Sequence, residues 1–442
     1  MINKLHNEEA SQPDKPKQLH TLILVIQGAA VGILAGLIIV LYRLLLTHAE
    51  TYLYKALAYC KGHPGRIVLW FALLLIMAAV VTVIMRLEPM AAGGGLPQVE
   101  AELQGKVQPV WWRVLLARLS SGTICILGGL SLGRAAPSIQ LGAMAAKGFA
   151  KTTHADKNRE LHLLACGAGA GLAATFHAPL AGILFVLEEM YHTFDKVLVL
   201  AGIVAALTAD FVAKLFLGQA PIFSYPSADI PLQFYWVFVL LGIILGLLGV
   251  GYNIIMVKGQ AVFGKLHKIP QVIRVAIPFL LAGILGMTLP EVLAGGHAMQ
   301  VILEETSPAL SMLLLLLVMK FVLSVISASS GAPGGIFFPI LIMGSYIGAI
   351  FGEIMMMCFP SSGDIQAQCI ILAMAGFFAA IIRSPITGII LVVEMTGSMH
   401  SLLDIALVSI VAYAVANLTK VPPIFDSMLE SFLRKQKPNG QK

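Results

Sequence analysis

The chain contains repeated runs of apolar residues that are each long enough to cross a lipid bilayer. Clear examples are residues 22–46, 67–85, 234–256 and 312–328, and a helix needs about 20 apolar residues to span the hydrocarbon core. Charged residues make up only 12% of the 442 positions, whereas a soluble domain carries about 25%. The sequence therefore predicts an all-α, polytopic membrane protein.

The two ends of the chain are polar. Residues 1–20 mix both charges and contain no apolar core of a cleavable signal peptide, and the last residues, FLRKQKPNGQK, are basic. Positive flanks favour a cytoplasmic location for both termini. We expect a bacterial inner-membrane protein surrounded by lipid. We expect no nucleic-acid partner, because no basic face accompanies these short runs.

The chain also repeats itself internally. Residues 169–190 read GAGLAATFHAPLAGILFVLEEM, and residues 375–395 read AGFFAAIIRSPITGIILVVEM. Upstream of these segments, GRAAPSIQLG and GIFFPILIMG match in their glycines and prolines. Matching interruptions in two halves are typical of transporter folds. The predicted organisation is a cytoplasmic segment 1–20, a first membrane repeat 21–217, a connection 218–233, a second repeat 234–420 and a cytoplasmic tail 421–442.

Glycine followed by proline within apolar sequence predicts a broken helix and a new helix start at membrane depth. A helix N-terminus presents free N–H groups and a partial positive charge, which suit an anion. The alternative is that these glycines only permit close helix packing. Three helix starts are candidates for a shared anion site: Gly94-Gly95-Leu96-Pro97, Arg134-Ala135-Ala136-Pro137 and Gly335-Ile336-Phe337-Phe338-Pro339.

The stretches GGGLPQVEAEL, GRAAPSIQLG, SSGAPGGIFFP, LEEM and VVEMT closely resemble the CLC family of chloride channels and transporters. The resemblance implies about 18 tilted and broken helices in two inverted-topology repeats. It also implies a homodimer with one pore per subunit. Family members pass chloride either passively or in exchange for protons. The resemblance places the anion-binding residues at Gly94, Gly95, Leu96, Pro97, Gly335, Ile336, Phe337 and Phe425.

Several positions depart from the pattern of the family. Ala135 stands where the family usually carries a gating glutamate, with Arg134 before it and Ala136 after it. Gly94 replaces a serine and Phe425 replaces a tyrosine, so two hydroxyl donors to the anion are missing. Since a methyl group cannot carry a proton, these departures predict passive, proton-uncoupled chloride conduction. The alternatives are a chloride/proton antiporter that uses another carboxylate, and a relative that transports nothing.

Two charged residues near these motifs have open roles. Glu189, the second glutamate of LEEM, matches the inner proton-transfer glutamate of the exchangers, and is either structural, at a surface, or a candidate for a proton path. Arg134 is expected to attract anions and to brace its loop through backbone carbonyls. Glu188 and Glu394 occupy equivalent positions in the two repeats, which favours a shared structural task such as pairing or capping a backbone.

The sequence lacks H-E-x-x-H, G-x-S-x-G and phosphate-loop motifs. Its five cysteines form no C-x-x-C pair. We therefore expect no enzyme activity, no cofactor and no metal site.

Overall fold

The computed structural model describes residues 15–191, 195–225, 232–306, 308–359 and 365–436. These ranges contain 17 α-helices, short 3-10 turns, one π-helical turn at Val186–Tyr191 and a single isolated β-bridge. The helices that precede residue 226 are α1 (Lys15–Cys60), α2 (Pro64–Leu87), α3 (Leu96–Leu103), α4 (Trp111–Leu127), α5 (Ala135–Thr152), α6 (Lys157–Phe176), α7 (Pro179–Phe185) and α8 (Lys196–Leu217).

Nine further helices follow residue 231. They are α9 (Tyr235–Lys265), α10 (Gln271–Thr288), α11 (His297–Glu305), α12 (Leu310–Ser329), α13 (Phe337–Cys358), α14 (Gln366–Ile382), α15 (Pro385–Thr396), α16 (Leu402–Leu418) and α17 (Ile424–Gln436). The all-α prediction is confirmed. Most of the predicted segment 1–20, part of the connection 218–233 and the end of the tail 421–442 lie outside the described residues, so the predicted domain boundaries stay predictions.

The long helices are apolar on all sides, as expected in lipid. Eight of the described helices have the length and hydropathy to cross a membrane. The apolar runs predicted from the sequence correspond to four of them, α1, α2, α9 and α12. Large apolar side chains on their outer faces are exposed, for example Leu22, Ile26 and Leu41 on α1. Apolar faces of this kind suit a lipid environment better than water.

Small residues bring the helices close together. Gly28, Gly32 and Gly36 form a stripe on α1 that lies against alanines of α8. A Cβ added at Gly32 would stand 2.3 Å from the carbonyl oxygen of Ala205. Because lipid tails compete with apolar side chains for contacts, close backbone approach of this kind drives helix association in membranes.

Two segments of the chain share one succession of elements. His177, with φ +54, caps the C-terminal end of α6, and Arg383, with φ +73, caps that of α14. A new helix begins two residues later in each case, with Pro179 or Pro385 at its first position. Proline fits the first turn of a helix because its missing N–H has no helical partner there. The internal match in the sequence thus corresponds to a match in structure.

Candidate anion and proton site

The three predicted helix starts exist, and none of them is capped by its own side chain. α3 follows Gly95, α5 follows Arg134 and α13 follows Ile336, and none of these N-cap residues forms a side-chain hydrogen bond to the helix. Pro97 occupies the second position of α3. The first N–H groups of each helix therefore remain available to a ligand.

Backbone hydrogen bonds tie the segments before these helices together. Gly133 and Gly335 form the isolated bridge, with N···O distances of 2.5 and 3.0 Å. Gly93 donates to the Gly331 carbonyl at 2.9 Å and accepts from the Gly334 amide at 3.0 Å. The starts of α3, α5 and α13 consequently lie next to one another. Uncapped N–H groups that meet in this way suit a small anion.

A buried arginine supports the first of these segments. Arg118 of α4 has no exposed surface; its Nη1 donates to the Gly93 carbonyl at 2.6 Å and its Nε donates to Gln140 Oε1 at 2.7 Å. Gln140 in turn donates to the Met90 carbonyl at 2.9 Å. Among the described residues, Arg118 Nη2 has no hydrogen-bond partner. A full positive charge therefore stands beside the Gly93–Gly95 segment.

Sequence reasoning missed Arg118. The signal was present, because ionisable side chains inside apolar helices are functional more often than not. Its position beside Gly93 depends on contacts across 25 residues of chain. Such contacts cannot be deduced from a helical pattern.

The gate position lies inside the protein. Ala135 has no exposed surface and Ala136 has 1%. The guanidinium of Arg134 lies over the ring of Phe338, 5.5 Å from its centroid. The Nε of Arg134 is buried without a hydrogen-bond partner in the described ranges. The expected brace through backbone carbonyls is therefore not found there, and Arg134 rests on an aromatic face instead.

Aromatic rings connect the α13 start with α17. Phe425 is almost fully buried and its ring meets that of Phe185 edge-on, with centroids 6.4 Å apart. Phe185 contacts Phe337 at 5.7 Å, and Phe337 contacts Phe176 at the same distance. Phe425 thus lies close to the α13 start, as the resemblance implied. The rings offer no hydroxyl donor to an anion.

Glu188 of the first repeat caps a helix of the second, and Glu394 of the second repeat caps a helix of the first. Glu188 accepts from the amides of Ile386 and Thr387 at 3.2 and 2.8 Å, at the start of α15. Glu394 accepts from the amides of Leu180 and Ala181 at 3.1 and 2.8 Å, at the start of α7. The predicted shared structural task is confirmed, and of its two forms, pairing or capping a backbone, the structure shows capping. Each carboxylate satisfies two helix N–H groups that have no helical partner.

Glu189 has a different environment from its neighbour. It lies in the π-helical turn that continues α7, with 7% of its surface exposed, and its Oε2 accepts from the Ser384 hydroxyl at 2.5 Å. Glu100 and Asp426 are close enough to act on it electrostatically. Glu189 is therefore a buried carboxylate with acidic neighbours. The surface location left open for it by the sequence is wrong.

Other charged groups serve the scaffold. Glu102 and Lys147 form a buried ion pair, and Arg383 donates to the carbonyls of Ala416 and Val421 at 2.6 and 3.3 Å. In the part of the chain that the structure describes, no three His, Cys, Asp or Glu residues lie close enough to hold a metal ion.

Comparisons with known proteins place this geometry in context. The family model described as voltage gated chloride channel matches residues 73–417. The H(+)/Cl(-) exchange transporter ClcA of Vibrio cholerae serotype O1 (strain M66-2) is 35% identical over 384 residues, which cover 84% of this chain and 82% of the relative. The protein of the same name from Vibrio campbellii is 32% identical over 98% of this chain and 94% of its own.

A solved structure agrees with these matches. The crystal structure of a slow cyanobacterial Cl-/H+ antiporter superimposes with a TM-score of 0.87 at 28% identity, covering 93% of this chain and 98% of that one. A CLC-type fluoride/proton antiporter shares the fold, with a TM-score of 0.76 at 21% identity.

The expectation of a passive, proton-uncoupled chloride channel is wrong. The relatives that match this chain over most of its length are named as proton/chloride exchangers, and the similar cyanobacterial structure is an antiporter. The inference from Ala135 treated one missing carboxylate as the loss of the whole proton path. Other carboxylates lie within the fold, as Glu189 demonstrates.

Proposed function

Because the chain belongs to the CLC family of chloride channels and transporters, we propose that it exchanges chloride for protons across a bacterial inner membrane. The proposal rests on one observation above all. Glu189 is a buried carboxylate hydrogen-bonded to Ser384, and it lies in a chain whose relatives are named exchangers. Ionisable groups at membrane depth are costly and are kept for function.

Chloride binds where the starts of α3, α5 and α13 meet. The amides after Gly94 and Gly95, and those after Gly335 and Ile336, supply the donors, and Arg118 supplies a positive charge behind them. Leu96, Pro97, Phe337 and Phe425 form the apolar surroundings of the ion. With no hydroxyl from Gly94 or Phe425, backbone donors hold the ion less tightly, so that it enters and leaves readily.

Protons move through Glu189. The carboxylate takes up a proton from the solution on its side of the membrane, and the Ser384 hydroxyl orients the oxygen that receives it. Burial, and with it the acidic neighbours Asp426 and Glu100, disfavours the charged form of Glu189 and so favours proton uptake. Protonation neutralises the buried carboxylate, and a neutral group costs less free energy in a low-dielectric site than a charged one.

The subunit works as a homodimer with both termini in the cytoplasm. The proposal is supported by apolar side chains exposed on α7, α15 and α8, including Leu180, Ile386 and Leu207. Two of these, Leu180 and Ile386, lie at the helix starts that Glu394 and Glu188 cap. A second copy covers such a face more completely than lipid does.

Flux from proteoliposomes tests the proposal. We expect an imposed pH gradient to drive chloride uphill, and an imposed chloride gradient to drive protons. Chloride flux without any proton movement would contradict exchange, and the absence of flux in either direction would favour a relative that transports nothing.

The variant Glu189→Gln tests the proton path. Gln keeps the size of the side chain and cannot take up a proton, so we expect proton transport to fall about a hundredfold while chloride still moves. Glu430→Gln serves as the matched control, because Glu430 is exposed on α17 and pairs only with Arg434. Full coupling in Glu189→Gln would exclude Glu189 from the proton path.

A further inference from the structure

The candidate anion site is enclosed more tightly on one side than on the other. Gly93 and Gly94, just before α3, are half-buried, and a Cβ added at Gly94 would find only the Gly334 carbonyl oxygen near it, at 3.9 Å. Ala135 and Phe337, at the starts of α5 and α13, have no exposed surface. An anion at these helix starts therefore has open space beside Gly94 and is closed in beside Ala135.

A surface pocket lies on the closed side. Its walls include Arg134, which immediately precedes Ala135, and His297 from the start of α11. Phe338, the second residue of α13, belongs to the same wall although only 4% of its surface is exposed. The side chain of Phe338 therefore borders the pocket, while its backbone belongs to the helix start that faces the anion.

Four groups meet around the ring of Phe338. The rings of Phe176 and Phe223 stack against it, each with its centroid 5.9 Å away, and the guanidinium of Arg134 lies 5.5 Å from its centroid. Phe223 is itself fully buried, and its amide donates to the Met395 carbonyl at 3.1 Å. These contacts fix the ring at the boundary between the pocket and the helix starts.

Exchange requires a barrier at this boundary. An anion path that is open to both solutions at once lets chloride run down its gradient without protons, whereas transporters open to one side at a time. The methyl group of Ala135 is too small to close the path. A bulky apolar ring in a narrow path hinders an ion, because the ring cannot replace the water that the ion loses.

We propose that the side chain of Phe338 is the gate of the chloride path on the Arg134 side, in place of the carboxylate that Ala135 lacks. The ring closes the path in this structure, and chloride passes when the ring moves away from Phe223. Arg134 is a positioning residue that holds the ring by a cation–π contact. This inference rests on the proposed passage of chloride at the starts of α3, α5 and α13.

A series of side-chain sizes at position 338 tests the inference. Because flux depends exponentially on the height of a barrier, we expect Phe338→Ala to raise chloride flux from proteoliposomes about tenfold. Phe338→Leu should raise it less, and Phe338→Trp should lower it. An open gate also passes chloride without protons, so the number of chloride ions moved per proton should rise in Phe338→Ala. A ring that only fills the core would give lower flux for smaller and larger side chains alike.

Two further variants separate the gate from packing. Phe223→Ala removes a ring that contacts Phe338 and does not line the pocket, so chloride flux should rise, but less than in Phe338→Ala. Phe238→Ala is the matched control, since it removes a similarly buried phenylalanine ring from α9. Its chloride flux per folded protein should equal that of the parent.

Unchanged chloride flux in Phe338→Ala, or a fall in both Phe338→Ala and Phe338→Trp, would overturn the inference. If Phe338→Ala does not fold, Phe338→Leu decides the question, and a flux no higher than that of the parent excludes the gate. A parent that moves chloride without protons contradicts the proposed exchange, and the size series still tests the gate. With a parent that moves no chloride, flux gained in Phe338→Ala supports the gate, and no flux in either protein excludes it.

Discussion

The two repeats match in residues that hold the structure and differ in residues of the candidate site. Gly133 pairs with Gly335 across the bridge, and Glu188 and Glu394 cap each other's helices. Glu189, by contrast, corresponds to Met395 in the other repeat, and Arg134 corresponds to Ile336. A symmetric scaffold thus carries an asymmetric site.

This difference offers a way to sort the charged residues of the chain. A residue whose repeat partner has the same type and the same contacts belongs to the scaffold, as Glu188 does. A buried charged residue whose partner is apolar is retained for another reason, because its burial costs free energy that the apolar partner does not. Glu189 meets the second condition, and Arg134 meets it in part, because the residue is half-buried and its Nε is buried.

The largest expected effect comes from breaking a symmetric pair. Glu188→Ala leaves two amides at the start of α15 and the Thr387 hydroxyl without their acceptor. Losing charge-assisted hydrogen bonds here should lower the free energy of unfolding by about 3 kcal/mol. Thermal unfolding in detergent measures the loss.

Glu394→Ala provides the symmetric counterpart, since it uncaps α7 in the same way. Glu430→Ala, which removes only an exposed ion pair with Arg434, should change stability by about 0.5 kcal/mol or less. If Glu394→Ala proved harmless while Glu188→Ala unfolded the protein, the two carboxylates would not share one task.

A smaller effect is expected at Gly95. Its φ of +98 is strained for any other residue, and an added Cβ would stand 2.8 Å from Gln140 Oε1 and 2.9 Å from Arg118 Nη2. We expect Gly95→Ala to cost about 2 kcal/mol of stability and to displace Arg118 from the Gly93 carbonyl. The free energy of unfolding and the chloride flux should fall together; unchanged flux would mean that Arg118 does not support the anion site.

Much of the fold could be predicted from the sequence, because an apolar run long enough to span a bilayer and a glycine–proline break are each visible within one short segment. The apolar runs predicted α1, α2, α9 and α12, and the breaks predicted the starts of α3, α5 and α13. Glu188 and Glu394 were identified as a pair because the repeat itself is visible in the sequence.

The remainder depends on contacts between distant segments. Arg118 comes to support Gly93, and Ser384 comes to contact Glu189, only after the helices have packed. The error over coupling had the same origin. Ala135 was visible in a motif, whereas the other carboxylates that could carry protons become neighbours of the site only in three dimensions.

The smallest expected effect separates the two adjacent glycines of the first helix start. A Cβ added at Gly94 has only the Gly334 carbonyl oxygen near it, at 3.9 Å, so Gly94→Ser should keep the stability that Gly95→Ala loses. The added hydroxyl can donate to chloride, and a hydrogen bond to a charged group contributes about 1.5 kcal/mol, or roughly tenfold in affinity. Titration calorimetry with chloride measures this change, and Gly94→Ala, which adds the Cβ without the donor, should bind like the parent. If Gly94→Ser and Gly94→Ala tightened chloride binding equally, the gain would come from the added Cβ and not from a hydroxyl donor. The missing hydroxyls would then not explain a weak affinity of this site for chloride.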